Sequence, residues 1–474
     1  MATALAVGVL AWPAGAGALR FARHQQAAIA FPYPLDYGEG PILEQAVRLG
    51  RLQNIYASDL SIPPYRIAPY PPVHPLLLAP LTRLFGPAYW YGRVVASGGV
   101  LAAALSVALI LRALSCDWVA ALAGGTLLLS FPAIVDWSRL SRVDGLALGL
   151  SMTALVVVVR GGERPAMRLA AAALLTAAIY TRQSHALAAP LAALVWLLAT
   201  GSRRGALELF ALVGAASLML FLALQAATGG GFFLNVVTAN VNTFYWGRVW
   251  RFLGDLCAQA PWLMVGAIVF AFAGRPARTW WLVVPYLAGA TLSTATIGKV
   301  GSNVNYLYEL CAALSLCAGA LLAWARAWPW RRVALLLLLA GQLWALNRWT
   351  VEHREEPLAA RIAQREQVDR LSEVVRTAAG PVLADEFMGL LPLSGRDIYF
   401  QPFEFQMLEY AGAWSSEKLA HQIEDGKFAV ILLYEPPGWD SPRELWAERL
   451  RSAIFRKYRR VTRAADAGVY RPVE

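Results

Sequence analysis

Leu209-Phe-Ala-Leu-Val-Gly-Ala-Ala-Ser-Leu-Met-Leu-Phe-Leu-Ala-Leu-Gln-Ala-Ala227 carries no charge and, coiled as a helix, crosses about 30 Å of hydrocarbon. Trp118 to Val135 and Val333 to Trp349 read the same way. The whole chain has 474 residues, 58% of them hydrophobic and 15% charged, with a mean hydropathy of +0.47. That balance calls for lipid around the chain. In lipid every backbone N–H and C=O must find a partner within the chain, which leaves helices or a closed barrel. The alternation of a barrel strand is absent from these Leu/Ala/Val runs, so an α-helical polytopic membrane bundle is expected.

Blocks and gaps in order give about eleven spans, near 1–19, 88–111, 118–135, 143–160, 168–181, 184–200, 209–227, 260–273, 280–296, 308–325 and 332–349. Successive gaps alternate between two sides, and arginine tells them apart. One set holds Arg112, Arg160, Arg164, Arg168, Arg203, Arg204, Arg275, Arg278, Arg326, Arg331 and Arg332 against only Asp117, Glu163 and Glu208. An excess of Lys and Arg marks cytoplasmic loops. The other set is then extracytoplasmic: 20–87, the turn at 136–142, 228–259, the turn at 297–307 and everything from about residue 350 onward. Arg20 and Arg23, just after the first block, oppose this rule, as a clipped or truncated N-terminus would explain. Residues 1–19 are read as a first span, because no basic residue precedes the apolar run as in a secretory leader.

The net charge of +11 is carried mostly by these arginines, so its placement argues against nucleic acid as a partner. Cys116, Cys257, Cys311 and Cys317 lie in or beside apolar blocks without Cys-x-x-Cys spacing, which implies neither a disulfide framework nor a metal knuckle. The spans occupy residues 1–349. From 350 to 474 charge density rises, strands are expected at 381–384, 428–434 and 468–471, and helices at 358–377 and 415–424. This is a small C-terminal α/β extracytoplasmic domain. No repeat of 20 to 50 residues and no pair of matching hydropathy halves marks an inverted-repeat transporter.

The chemistry concentrates on the outer side. Phe31-Pro-Tyr-Pro-Leu-Asp36-Tyr-Gly-Glu39-Gly puts two acids at the mouth of a helix-like stretch, where they could form a base or metal site or simply cap a surface helix. The rigid Pro63-Pro-Tyr65-Arg66-Ile-Ala-Pro-Tyr70-Pro-Pro-Val-His74-Pro follows, then an interfacial piece, Leu76 to Phe85, and Arg93 near the outer end of the next span. Arg93 could bind substrate or anchor the span at the interface. Asp136-Trp-Ser-Arg139-Leu-Ser-Arg142-Val-Asp144 alternates acids and arginines between two spans, either as a site or as mutual ion pairs. Tyr180-Thr-Arg182-Gln183-Ser-His185 offers an arginine to an anionic headgroup. Gly298-Lys299-Val-Gly-Ser302-Asn303-Val-Asn305-Tyr306-Leu-Tyr308-Glu309 is dense in hydrogen-bond donors. Both stretches could equally be capped turns with snorkelling side chains.

Carboxylates beside cations at one membrane face suit a glycosyl phospholipid. Its phosphate must leave carrying negative charge, which Arg or Lys stabilises, while one carboxylate takes the proton from an attacking hydroxyl. A transporter or flippase of a lipid-linked sugar would bind the same groups, but with acids at mid-depth.

In the order of these motifs the chain resembles the GT-C glycosyltransferases, which include the protein O-mannosyltransferases, the aminoarabinose transferases of lipid A and the Rgt-type transferases. The resemblance covers about the first 350 residues. It rests on Asp36-Tyr-Gly-Glu39, Tyr70-Pro-Pro-Val-His-Pro-Leu-Leu-Leu, Phe85-Gly followed by Arg93, Arg142-Val-Asp144 and Thr181-Arg182-Gln183. It implies a polyprenyl-phosphate sugar as donor and a cell-envelope glycan, lipid or protein as acceptor, in a bacterial inner membrane. It implies Asp36 as catalytic base, with Glu39 as its possible substitute. Arg93, Arg142, Asp144, Arg182, Gln183, Lys299, Asn303, Asn305 and Tyr306 are expected to bind substrate. The family usually has adjacent Asp-Glu, which Tyr37 and Gly38 separate here, and often a Lys where this chain has Arg182. Oligosaccharide transferases of the superfamily use a divalent ion held by paired acids. A single phosphate can be neutralised by arginines alone, so no metal is expected.

Overall fold

The computed structural model describes residues 1–275, 277–436 and 446–473, with the backbone alone at 354–356. Among the described residues seven helices are long and apolar enough to cross a membrane, and Trp246–Gln259 with Pro261–Ala273 forms a further pair bent by 97°. The chain is a multi-pass membrane protein. The expected spans at 118–135, 168–181 and 184–200 correspond to apolar helices shorter than a full crossing. The first of these ends early because Pro132 starts a separate short helix, so α5 (Trp118–Leu128) and α6 (Pro132–Trp137) replace one span.

The first helix, α1 (Ala2–Ala30), runs well past the expected boundary at residue 19, so Arg20 and Arg23 lie within it rather than in an outer loop. The bundle gives Gln25 partners: it donates to the Val135 carbonyl at 3.1 Å and accepts from Ser97 at 3.0 Å. With these bonds made, the helix continues until Pro32 approaches. After α2 (Glu39–Gly50) and the interfacial α3 (Val73–Phe85), α4 (Trp90–Ser115) packs against α7 (Asp144–Gly161). Glycine permits that contact. A Cβ on Gly145 would sit 2.2 Å from the Ala96 carbonyl oxygen, and one on Gly149 2.5 Å from that of Gly99. Small residues let membrane helices meet backbone to backbone, and this contact ties Arg93 on α4 to the turn before Asp144.

The C-terminal residues form a four-stranded sheet in the order β1-β2-β4-β3, with β1 (Val382–Ala384) parallel to β2 (Val430–Tyr434), and with β3 (Tyr458–Ala464) and β4 (Ala467–Pro472) antiparallel. β3 was not expected, because its Arg-rich Tyr458-Arg-Arg-Val-Thr-Arg-Ala is an edge strand exposed over most of its length. The helix expected over 358–377 is divided into Glu356–Ala363 and Arg365–Thr377.

This sheet unit is fastened to the first long loop. The Tyr65 N–H donates to the Tyr399 carbonyl at 2.7 Å, and the Ile67 N–H donates to Gln401 Oε1 at 2.8 Å. The buried Tyr65 ring meets Phe405 and Trp414 at 5.7 and 5.3 Å, contacts worth about 0.5–1.5 kcal/mol each beyond their buried area. Glu44 on α2 accepts from the Ile398 N–H at 2.9 Å, and the Tyr89 hydroxyl donates to the Gly389 carbonyl at 2.7 Å. The C-terminal unit and the loop that carries Asp36 therefore share one side of the bundle.

Candidate active site

Asp36 lies in the turn between α1 and α2. Its Oδ1 accepts from the Gly38 N–H at 3.0 Å and faces Arg142 Nη1 at 3.2 Å. Glycine at position 38 leaves room for that guanidinium: a Cβ would fall 1.3 Å from its nitrogen, so Arg142 would have to shift. Among the described residues the other oxygen, Oδ2, has no hydrogen-bond partner. Burial raises the carboxyl above the usual aspartate range, only partly offset by Arg142. A raised carboxyl is a stronger base once ionised.

Glu39, three residues on, has a different environment. Arg93 Nε reaches its Oε1 at 2.9 Å and Arg93 Nη2 its Oε2 at 2.8 Å, while the N–H groups of Ser141 and Leu35 donate at 2.6 and 2.7 Å. Both side chains are fully buried. Burial alone would raise the Glu39 carboxyl, but the Arg93 charge and these hydrogen bonds outweigh it and hold the carboxyl below its usual range. The remaining Arg93 donors end on the carbonyls of Ala28, Phe31 and Tyr33, each at 2.6 Å. Neither residue lines the cavity described next; Asp36 is not in its lining either, but adjoins it through Tyr37, Gly38 and Arg142, whereas Glu39 is taken up by Arg93 and two backbone N–H groups.

The cavity holds about 350 Å³ and lies beside Asp36, between the bundle and the C-terminal unit. Arg142, Arg182 and Lys299 all line it, with Gln183, Ser302, Tyr70 and Tyr306. Arg182 bonds to Asp144 and lies over the Tyr306 ring at 4.2 Å. Asp144 also accepts from Asn305 at 3.0 Å and from Trp137 Nε1 at 2.9 Å. Asp144 and Asn305 thus stand behind Arg182 rather than on the cavity wall. Arg182 Nη2 and Gln183 Oε1 are buried without hydrogen-bond partners. Lys299 donates to Asn240 Oδ1 at 3.2 Å, and among the described residues no carboxylate pairs with it. Asn303 caps the turn before Val304 at 2.8 Å and is not part of the lining.

One lining acid had no sequence signal. Glu404 comes from the Pro402–Tyr410 helix of the C-terminal unit, and Gln401-Pro-Phe-Glu404 reads only as an ordinary helix start. Its Oε2 is buried without a partner. Burial raises its carboxyl, Arg142 opposes that shift and Asp36 adds to it. For a divalent ion the donor set fits poorly. Among the described residues no three His, Cys, Asp or Glu come together, and the Arg142 charge acts both on Glu404 in the lining and on Asp36 behind Gly38.

A family model described as dolichyl-phosphate-mannose-protein mannosyltransferase matches residues 69–226. No curated protein matches the chain in sequence. Among solved structures, ArnT from Cupriavidus metallidurans bound to undecaprenyl phosphate is similar at 13% identity with a TM-score of 0.66, covering 96% of this chain and 97% of that one. The archaeal oligosaccharyltransferase AglB from Archaeoglobus fulgidus, in complex with an inhibitory peptide and a dolichol-phosphate, is similar at 12% identity with a TM-score of 0.54, covering 97% of this chain and 74% of that one. The Archaeoglobus fulgidus oligosaccharyltransferase complex with Zn and sulfate is 12% identical with a TM-score of 0.57, covering 90% of this chain and 67% of that one. These matches bear out the fold expected from the motifs of the first 350 residues, and the fold shared with ArnT extends over 96% of this chain.

Proposed function

We propose that the chain transfers a sugar from a polyprenyl-phosphate-linked donor to an acceptor hydroxyl, inverting the anomeric centre. What carries this reading is one cavity in which Arg142, Arg182 and Lys299 converge beside Asp36. The three cations hold the donor phosphate. Asp36 takes the proton from the acceptor hydroxyl, and the hydroxyl oxygen attacks the anomeric carbon. The bond from that carbon to the phosphate oxygen breaks, and the polyprenyl phosphate leaves with the electron pair, its charge met by the cations. Asp144 and Asn305 keep Arg182 aimed, while Gln183 and Tyr306 face the sugar. Glu39 and Arg93 hold the turn that presents Asp36 and take no part in the chemistry. A transporter would need its acids at mid-depth, whereas Asp36 and Glu404 lie together at one end of the bundle. Two of the solved neighbours are complexes with undecaprenyl phosphate and with a dolichol-phosphate, which fits this donor class.

The test is incubation of the purified protein with a panel of radiolabelled polyprenyl-phosphate sugars and with membranes as acceptor, with and without EDTA. Transfer from one donor is expected, insensitive to chelation because arginines replace a metal. A protein that moves labelled lipid across a vesicle bilayer but transfers no sugar would be a flippase instead.

We place the cavity and the C-terminal unit on the extracytoplasmic side of a bacterial inner membrane, from the arginine asymmetry of the short loops. With Cys116 and Cys257 replaced by Ser, cysteines at the exposed Ser58 and Lys418 should both react with a membrane-impermeant maleimide on intact cells. Labelling only after the membrane is broken would invert the topology.

A further inference from the structure

We propose that Glu404 holds the acceptor, its carboxylate accepting a hydrogen bond from a hydroxyl adjacent to the attacking one on a glycan. The assignment rests on the transferase reading above and adds to it which side of the cavity the acceptor occupies.

Glu404 reaches the cavity because the first loop fixes the start of its helix. Gln401 donates its N–H to the Tyr65 carbonyl at 3.2 Å and accepts from Ile67 at 2.8 Å. Next to it, Phe403 lies 6.4 Å from the Tyr37 ring, and its Cζ is 2.4 Å from where a Cβ on Gly301 would stand. Phe403 therefore packs against Gly301 with no room for another side chain between them, and Glu404 beside it lines the same cavity as Lys299. Among the described residues the buried Oε2 has no hydrogen-bond donor. A carboxylate oxygen removed from water and left without a donor costs stability unless a ligand supplies one.

The ligand is not the donor phosphate, which two nearby carboxylates would repel and which the three cations already serve. Nor does a divalent cation fit beside the Arg142 charge. A neutral hydroxyl donor remains. The rings of Tyr37, Tyr70 and Phe403 around the same space suit the C–H faces of a sugar better than a second anion.

The test uses the full chain in nanodiscs, the donor that the panel selects, and membranes from host cells lacking the gene as acceptor. E404Q should raise the acceptor KM on the order of tenfold, the loss of one hydrogen bond to a charged group, with donor KM and undecaprenyl phosphate binding unchanged. E404D should restore part of the loss. If E404Q is destabilised in a melting experiment, the same KM comparison on E404D decides. An unchanged acceptor KM, or a rise in donor KM instead, overturns the assignment while leaving the transferase reading intact. Label that becomes sensitive to protease overturns the glycan acceptor. A wild-type protein that transfers nothing overturns the transferase reading and this assignment together.

Discussion

Asp36→Asn should lower turnover by on the order of 10²- to 10⁴-fold while undecaprenyl phosphate still binds. Asparagine keeps the shape of the turn: its side-chain oxygen can still accept from the Gly38 N–H, which sits 3.0 Å from Oδ1. What it loses is the ability to take a proton. The pH dependence provides a second readout. Burial raises the Asp36 carboxyl, with Arg142 only partly offsetting it, so the wild-type rate should fall as pH drops through a value above the 3.9 or so of a solvated aspartate. The acid limb should be absent from the residual activity of the variant. Near-normal turnover in Asp36→Asn would end the general-base mechanism. Donor binding lost along with turnover would instead make Asp36 a residue that orients Arg142.

Glu39→Gln should fail in a different way, by loss of the folded protein. The substitution leaves Arg93 charged, fully buried and short of its carboxylate. Removing one partner of such a pair costs about 3–5 kcal/mol, a large fraction of the stability of a typical domain. The expected observation is a much lower melting temperature and poor recovery in detergent. The double replacement of Glu39 and Arg93 by Met should recover part of that loss, since no lone charge remains. Because Glu39 is held below its usual range, its contribution is fully present above the unfolded carboxyl value of about 4.3 and is lost as pH falls through the lower folded value. Neutral pH therefore does not test it. A Glu39→Gln protein that melts like the wild type yet is inactive would return the catalytic role to Glu39.

These two outcomes mark where reading along the chain stops. The apolar runs, the arginine-rich short loops and the polar C-terminal segment decide a helical membrane bundle with a sheet unit at its end, because hydrophobic length and charge are properties of consecutive residues. The motifs around Asp36, Arg142, Arg182 and Lys299 were visible for the same reason. Spacing could not separate Asp36 from Glu39, since their difference lies in what arrives from elsewhere: Arg93 from α4 and the Ser141 N–H from the next turn engage one acid, and Arg142 the other. Nor could it show that Asp144 and Asn305 back Arg182, or that Asn303 only caps a turn. Arg20 and Arg23 looked misplaced until α1 continued through them to Ala30, with Gln25 bonded across the bundle to Val135. Glu404 is the extreme case. It is more than 350 residues from Asp36 in sequence, and contacts with the first loop, such as the pairing of Tyr65 with Phe400, bring its helix to the cavity. Desolvation and charge pairing depend on every neighbour in three dimensions, so the assignment of roles among these acids belongs to the tertiary structure.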